Sequence, residues 1–482
     1  MDTVIEKFPD ERAARPDPHF QFSVSEVFDD YVANNMPTHL IYVPTRHVLS
    51  RAELGRIFQP DNIADGEIVE HMQTHECTRP VAMKAIVRAL LKYAILSHRW
   101  LREGEPTYGD VLRGVAWTGP GYEKLLEFCR TAEDYGCQLA WSDTCCINKE
   151  SSTELDEAVR SMFRWYRDAH ICIVHLSAVS SLEDLHQDAW FTRGWTLQEL
   201  LAPRAIRFYG RGWTPLGVVH GGNDKDDDRF AAVLSAATEI PVDDLRNFTP
   251  GTARVQEKMV WASKRRTTRV EDVAYSLIGI FDVSMQIAYG EGDWAFHRLM
   301  EVIIRRCDEW EIFAWAGPPS THSSSNAIPK SPRCYYNVDF INSKLEHDGL
   351  QRGGKAFALT QRGLQINLSI AEGEMALRFD GTFSFQASPR SSQMPPPFSV
   401  VDGHTSWKGE RNGKWAIGIV NYQSAVRADG REMSILSPQK EYLCFLLTEQ
   451  NGSWRKVTTS NILTIRALFN GRARGPVYTV WL

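Results

Sequence analysis

The sequence predicts an α/β domain of three-layer type built on a parallel sheet, followed by a helical extension and a C-terminal all-β domain. Three observations carry this prediction. Short apolar segments alternate with helix-period segments up to residue 209, apolar stripes at helical spacing continue to residue 308, and period-two alternation dominates after residue 356. Strand–helix–strand order at these intervals favours a parallel sheet flanked by helices.

Short apolar segments are the predicted strands of the first domain, and three helical stretches lie among them. The strands are expected at 38–43, 93–96, 138–142, 171–176 and 205–209. The helices are expected at 81–91, 122–135 and 154–168, where apolar residues recur every three or four positions. Gly136 is a candidate C-cap of the second helix.

Changes in composition divide the chain into five predicted segments. The acidic stretch 221–228 predicts a solvated loop, and the Ser- and Pro-rich stretch 318–332 predicts a linker. Apolar stripes over 270–281 and 294–304 predict helices. The boundaries are a flexible N-terminal lead over 1–36, the α/β domain over 37–220, the helical module over 221–317, the linker over 318–332 and the β-rich domain over 333–482.

The C-terminal part alternates apolar and polar residues in short runs. Strands are expected at 357–360, 364–370, 375–379, 382–385, 415–420, 442–447 and 477–481. The run Pro395–Pro397 interrupts the series. Many short strands separated by turns indicate a sandwich or barrel.

Length and charge exclude several classes of protein. A chain of 482 residues exceeds the size of most single cores. A net charge of −6 gives no support for binding to nucleic acid or to an anionic membrane. Neither a phosphate-binding P-loop pattern nor a dinucleotide-binding glycine pattern occurs. With no apolar run of ~20 residues and no signal-peptide pattern, the sequence predicts a cytoplasmic protein without a membrane span.

The nine cysteines show no paired spacing, which predicts free thiols in a reducing compartment. The adjacent Cys145 and Cys146 lack the spacing of metal ligands, so they are expected to be buried small hydrophobes. No metal or cofactor is expected.

Three apolar segments pass directly into polar residues that could carry chemistry. They are Tyr93–Trp100 (YAILSHRW), Trp141–Asn148 (WSDTCCIN) and Trp190–Glu199 (WFTRGWTLQE). Because ligand crevices of open α/β sheets lie at strand ends, these three stretches predict the functional site.

The same stretches resemble the three signatures of the fungal heterokaryon-incompatibility domain, in the family's order and over roughly residues 37–217. Ser161–Tyr166 extends the second signature, and Leu201–Pro203 extends the third. The segments 261–275 and 288–292 resemble the helical module that commonly follows this domain. The family more often has Tyr at the position of His98 and Asp at the position of Asn148.

The resemblance implies a cytosolic fungal protein of non-self recognition, vegetative incompatibility and programmed cell death, an innate-immunity role. It also implies a fold similar to Toll/interleukin-receptor domains, some of which cleave NAD. NAD is then the candidate substrate, and other incompatibility proteins or further copies of this chain are the candidate partners.

Glu199 is the first candidate catalytic residue. Cleavage of the nicotinamide–ribose bond passes through an oxocarbenium-like state, which a carboxylate can stabilise while it orients ribose hydroxyls. The alternative is a structural ion pair of Glu199 with Arg193 or Arg204 that fixes the local turn.

Asp143 is the second candidate catalytic residue, because it directly follows a predicted strand. It could instead cap the next element or form an ion pair. The candidate substrate-binding residues are Ser97, His98, Arg99, Trp100, Trp141, Arg193 and Trp195. Arg99 would contact a phosphate, and the tryptophans would stack on an aromatic ring or pack in the core.

A non-catalytic reading stays open beside the enzymatic one. Apolar and Trp-rich surfaces would drive self-association or docking, and the C-terminal β domain would act as the sensor of a non-self ligand. The basic run Lys264–Arg266 with Arg269 is expected to form a solvated face or to contact the acidic stretch 221–228.

Overall fold

The computed structural model describes residues 23–114, 118–218, 222–322, 326–336, 357–388, 400–407, 413–426, 428–437, 440–466 and 473–482. The chain divides into two compact units. The first comprises residues up to 95 together with 104–148, and the second comprises 96–103 together with 149–482.

The first unit contains six helices and three complete strands among its described residues. The helices are α1 (Val24–Asn35), α2 (Arg51–Phe58), α3 (Asp65–His75), α4 (Arg79–Leu90), α5 (Tyr108–Leu112) and α6 (Pro120–Asp134). The strands are β1 (His39–Tyr42), β2 (His47–Ser50) and β4 (Leu139–Trp141), with the first half of β3 (Tyr93–His98). The predicted N-terminal lead therefore contains a helix, α1, whose Phe28 and Val32 are buried; residues 1–22 lie outside the described part.

The sheet of the first unit is mixed, so the prediction of a parallel sheet is wrong in this part. The strand order is β2-β1-β4-β3. Strands β3 and β4 are parallel, with Tyr93 opposite Leu139, whereas β1 runs antiparallel to β4, with Ile41 opposite Ala140. The β1–β2 pair is also antiparallel. A tight reversal at 43–46 produces this hairpin, which the sequence pattern did not indicate.

The second unit continues the α/β part with the order β3-β5-β6. Its elements are α7 (Ser152–Asp168), β5 (Ile171–His175), α8 (Thr196–Leu201) and β6 (Ile206–Tyr209). Strands β5 and β6 are parallel, as predicted. The hydroxyl of Tyr166 on α7 donates to the carbonyl of Leu96 at 2.9 Å, which fixes this helix against β3.

Five α-helices follow in the described part of the second unit: α9 (Asp228–Thr238), α10 (Val242–Arg246), α11 (Val255–Ser263), α12 (Asp272–Tyr275) and α13 (Trp294–Ile304). The helix predicted over 270–281 is wrong in length, because only the four residues of α12 are helical and turns follow. Gly279 lies so close to the side chain of Phe163 on α7 that an added Cβ would stand 2.1 Å from Cβ of Phe163. Close packing of turns buries this apolar stripe instead of a regular helix.

The acidic stretch before α9 is not a solvated loop at two of its positions. Asp224 and Lys225 are fully buried. Nη1 of Arg207 donates to Oδ1 of Asp224 at 2.7 Å, and the N–H of Phe208 donates to Oδ2 at 2.7 Å. Burial raises the pKa of Asp224 to about 6, while these donors act in the opposite direction. The prediction of a solvated loop over 221–228 is therefore wrong at Asp224, whose carboxylate accepts hydrogen bonds from β6.

From residue 357 onward, the described residues form β-strands and their connections, as predicted. Its strands are β7 (Ala358–Thr360), β8 (Gly363–Leu377), β9 (Thr382–Ala387), β10 (Val400–His404), β11 (Trp415–Ile419), β12 (Gln423–Val426), β13 (Glu432–Leu436), β14 (Glu441–Gln450), β15 (Ser453–Lys456), β16 (Leu463–Arg466) and β17 (Ala473–Trp481). The main path is β12-β13-β17-β8-β11-β14-β15, and its neighbours pair antiparallel. The predicted strand break at Pro395–Pro397 lies outside the described residues.

No helix in the described ranges is both long enough and apolar enough to cross a membrane.

Candidate functional site

Strand β3 ends in a buried hydroxyl that contacts a buried carboxylate. Oγ of Ser97 donates to Oε2 of Glu199 at 2.5 Å, and Nε1 of Trp190 donates to the same Oγ at 2.8 Å. Ser97 and Trp190 are fully buried, and Glu199 is 5% exposed. The three side chains form one hydrogen-bonded chain from indole to hydroxyl to carboxylate, inside the second unit.

A short helical turn before α8 positions Trp190, the indole donor of this hydrogen-bonded chain. Residues 189–192 form a 3₁₀ turn, and Oδ1 of Asp188 accepts from the N–H of Trp190 at 2.8 Å as its N-cap. Oγ1 of Thr196, the first residue of α8, donates to the carbonyl of Trp190 at 2.6 Å. All six residues of α8 are buried, so Glu199 lies on a helix with no solvent face.

Gly194 lets the chain pass closely beside the segment that follows α11. Its N–H donates to the carbonyl of Arg266 at 2.8 Å, and the N–H of Arg266 donates to the carbonyl of Thr192 at 2.7 Å. A Cβ added at Gly194 would stand 2.4 Å from Cγ2 of Thr267. The third sequence stretch is therefore held by a short parallel bridge that has room only for glycine.

Two buried cations bind the ends of α8. Nη1 of Arg265 donates to the carbonyl of Arg193 at 3.0 Å and to Oγ1 of Thr196 at 2.9 Å. At the other end, Nζ of Lys225 donates to the carbonyls of Leu200 at 2.6 Å and Pro203 at 3.2 Å. An ammonium group at a helix C-terminus compensates the helix dipole and its orphan carbonyls.

Burial shifts the pKa values of both cations downward. It lowers the pKa of Arg265 to about 10, while the charge of Glu199 acts in the opposite direction. It lowers the pKa of Lys225 to about 8. The electrostatic influence of Glu199 on Arg265 shows that this guanidinium is part of the carboxylate's surroundings.

The remaining candidate residues of the second unit lie in different environments. His98 is buried, whereas Arg99 and Trp100 are exposed, and Nζ of Lys149 lies 3.9 Å from the ring centroid of Trp100. Trp195 is half-buried; burial raises the pKa of Asp272, and the side chain of Trp195 acts in the opposite direction. Arg193 is half-buried and contributes its backbone carbonyl to Arg265.

The first unit holds the other two candidate residues. Trp141 ends β4 and is fully buried, and Asp143 is half-buried in the turn that follows. The N–H of Cys146 closes this turn on the carbonyl of Ser142 at 2.9 Å. Cys145 and Cys146 are buried and free, which confirms their prediction as small hydrophobes.

Sequence reasoning missed three members of the site. Trp190 was part of a quoted stretch but was not proposed to contact Ser97, which lies 93 positions away. Arg265 was assigned to a solvated basic face, and this is wrong because the residue is 8% exposed and supports α8. Lys225 was assigned to a solvated loop.

The arrangement can stabilise a positive charge and can orient hydroxyl groups. A carboxylate that receives a hydroxyl hydrogen bond in a buried setting is a strong acceptor, since the low local dielectric strengthens its interactions. Across the described parts of both units, no group of three or more His, Cys, Asp or Glu side chains is arranged to hold a metal ion.

Comparison with known proteins gives two matches. Residues 93–184 match the family model described as heterokaryon incompatibility protein. Over 224 residues the chain is 43% identical to the vegetative incompatibility protein HET-E-1 of Podospora anserina, and the aligned part covers 44% of this chain and 16% of that protein. No solved structure matches.

Proposed function

Because this chain carries a heterokaryon-incompatibility domain, we propose that it acts in vegetative incompatibility as an effector of non-self recognition. The similarity to HET-E-1, which is named a vegetative incompatibility protein, supports this role. The aligned part covers only 16% of HET-E-1. We therefore propose the role in incompatibility for this chain, and none of the other properties of HET-E-1. The proposal includes programmed cell death as the outcome.

The proposed chemistry is glycohydrolysis of NAD, with Glu199 as the catalytic carboxylate. Water would add to C1′ of the ribose, the bond from C1′ to the nicotinamide nitrogen would break with its electron pair leaving on nicotinamide, and the proton of water would be released. The single observation that carries this proposal is the Ser97–Glu199 hydrogen bond at the carboxyl end of β3. A positioned carboxylate suits an oxocarbenium-like transition state.

Substrate access sets a requirement on this mechanism. Glu199 is 5% exposed, so the active state must expose the carboxylate further than the structure does. A triggered effector fits that requirement, because its resting state should not consume NAD. The likeness to Toll/interleukin-receptor domains is part of the same proposal and rests on the sequence signatures.

A non-catalytic module is the second candidate, and one observation favours it. Glu199 is buried and hydrogen-bonded, and α8 is held at both ends, which is also what a purely structural carboxylate needs. In that case the domain would act through self-association or docking to other incompatibility proteins, and the C-terminal β part would be the sensor.

NAD turnover by the purified full chain, over a series of protein concentrations, decides between the two candidates. We expect wild-type turnover to appear as the protein concentration rises and assembly produces the active state. We expect none in Glu199→Gln, and wild-type behaviour in Glu183→Gln, a matched change at an exposed glutamate. Thermal unfolding of each variant shows whether the fold is kept. Concentration-dependent assembly without turnover in any sample would reject the enzyme and favour the module.

A further inference from the structure

A cavity opens beside Gly194, on residues that the proposed reaction does not use. Its cavity volume is about 60 Å³, and all of its lining residues belong to the second unit. Neither Ser97 nor Glu199 lines it. The residues that matter are Gly194, Arg265, Val273, Ser276, Leu277 and Arg333.

Arg265 presents unused donors to this cavity. The residue is more than nine-tenths buried. Among the residues that the structure describes, Nη1 is its only side-chain nitrogen that donates a hydrogen bond, and both acceptors are uncharged oxygens of Arg193 and Thr196. Nε and Nη2 retain hydrogen-bonding capacity, and a guanidinium matches carboxylate and phosphate in geometry.

A second guanidinium stands at the mouth of the same cavity. Arg333 is exposed, and within the described ranges its side chain makes neither a hydrogen bond nor an ion pair. It follows Pro332, whose short helical turn, 332–335, packs against α11. Among the described residues, the cavity lining contains two arginines and no carboxylate. The lining is therefore positively charged, and the carboxylate of Glu199, whose charge acts on Arg265, lies outside it.

The remaining wall is mostly apolar, with single hydroxyl groups. Val273 and Leu277 supply the apolar surface, and Ser276 and Ser331 add hydroxyls. No side-chain hydrogen bond of Ser276 occurs within the described residues, although the residue is 2% exposed. An apolar wall with convergent polar groups at one end is the usual construction of a small-molecule site.

We propose that this cavity binds a small organic anion, with a phosphate or carboxylate on Arg265 and Arg333 and a compact apolar body on Val273 and Leu277. The anion would neutralise the buried guanidinium and would join the 332–335 turn to the bridge at Gly194. Since Arg265 also holds the first residue of α8, ligand binding would act on the helix that carries Glu199. The binding itself does not depend on NAD turnover.

Calorimetric titration of the purified full chain tests the proposal with four probes. Phenyl phosphate and benzoate carry an anion on an apolar body, inorganic phosphate carries only the anion, and benzamide carries only the body with a neutral head. We expect the two aromatic anions to bind and the other two probes to bind at least about tenfold more weakly. The tighter of the two aromatic anions identifies the head group as phosphate or carboxylate.

Three variants locate the binding. Arg333→Gln should weaken binding of the tighter aromatic anion by about tenfold or more, and Arg333→Lys should restore part of the loss. Arg305→Gln removes an exposed arginine on the carboxyl end of α13 and should change nothing. Because Arg333 is exposed, its variants should fold, which thermal unfolding verifies.

Several results would overturn the proposal. Absence of binding by both aromatic anions would remove the site, and unchanged binding in Arg333→Gln would place it elsewhere. Equal binding of benzamide would remove the anionic requirement, and equal binding of inorganic phosphate would remove the apolar subsite. None of these outcomes bears on whether Glu199 hydrolyses NAD, so the two proposals fail separately.

Discussion

The hydroxyl of Ser97 donates to the carboxylate of Glu199 at 2.5 Å, across 102 positions of the chain. This hydrogen bond joins the first and third sequence signatures. Trp190 donates to the same oxygen, so the hydroxyl acts as acceptor and donor at once. The carboxylate is therefore oriented by a strand and by a 3₁₀ turn, both of which are buried.

Ser97→Ala should lower the free energy of unfolding by about 1–3 kcal/mol, because a buried carboxylate and a buried indole N–H each lose a partner. Chemical denaturation of the purified chain measures this change. The same substitution in a Glu199→Gln background provides a double-mutant cycle. Strictly additive losses in the cycle would show that the two side chains are not coupled, against the structure.

Gly194→Ala should also destabilise the fold, by about 1–3 kcal/mol, because its Cβ would meet Cγ2 of Thr267 at 2.4 Å. Thr267→Ser removes that methyl group and retains the hydroxyl, which donates to the carbonyl of Arg269. The double variant should therefore recover much of the lost stability in thermal unfolding. A double variant as unstable as Gly194→Ala alone would contradict this steric account.

Asp143→Asn tests the second predicted carboxylate independently of Glu199. If Asp143 takes part in the proposed hydrolysis, NAD turnover should fall by at least about tenfold while the midpoint of thermal unfolding stays near that of the wild type. Asp134→Asn, at the end of α6, is the matched control in the same unit. Wild-type turnover in a folded Asp143→Asn protein would leave this residue with a structural role.

The strands and their polar ends could be predicted from the sequence because local composition determines them. Five predicted strands correspond to β1, β3, β4, β5 and β6; they are 38–43, 93–96, 138–142, 171–176 and 205–209. The direction of β1 could not be predicted, since an apolar segment has the same pattern in parallel and antiparallel pairing. The hairpin partner β2 alternates too little to be recognised.

Only those residues of the site that lie within the three signatures could be predicted from the sequence. Ser97 and Glu199 were named from their stretches, and the structure brings them together. Arg265 and Lys225 reach α8 from outside the signatures, and charged residues are rarely buried. Their burial depends on carbonyl acceptors at the two ends of one short helix, a tertiary relationship with no local pattern.

Lys456→Met should stabilise the chain most at low pH. Nζ of Lys456 lies 3.5 Å from the ring centroid of Trp315 and donates no hydrogen bond to a described residue. Burial lowers its pKa from 10.5 to about 7. Between these values the unfolded chain holds a proton that the folded chain has released, so wild-type stability rises with pH across this window. Urea unfolding at about pH 6 and about pH 9 should show that the free energy of unfolding depends less on pH in Lys456→Met than in the wild type. Lys414→Met, at an exposed lysine paired with Glu449, should keep the wild-type dependence of stability on pH. A wild-type dependence in Lys456→Met would show that Lys456 does not release its proton on folding.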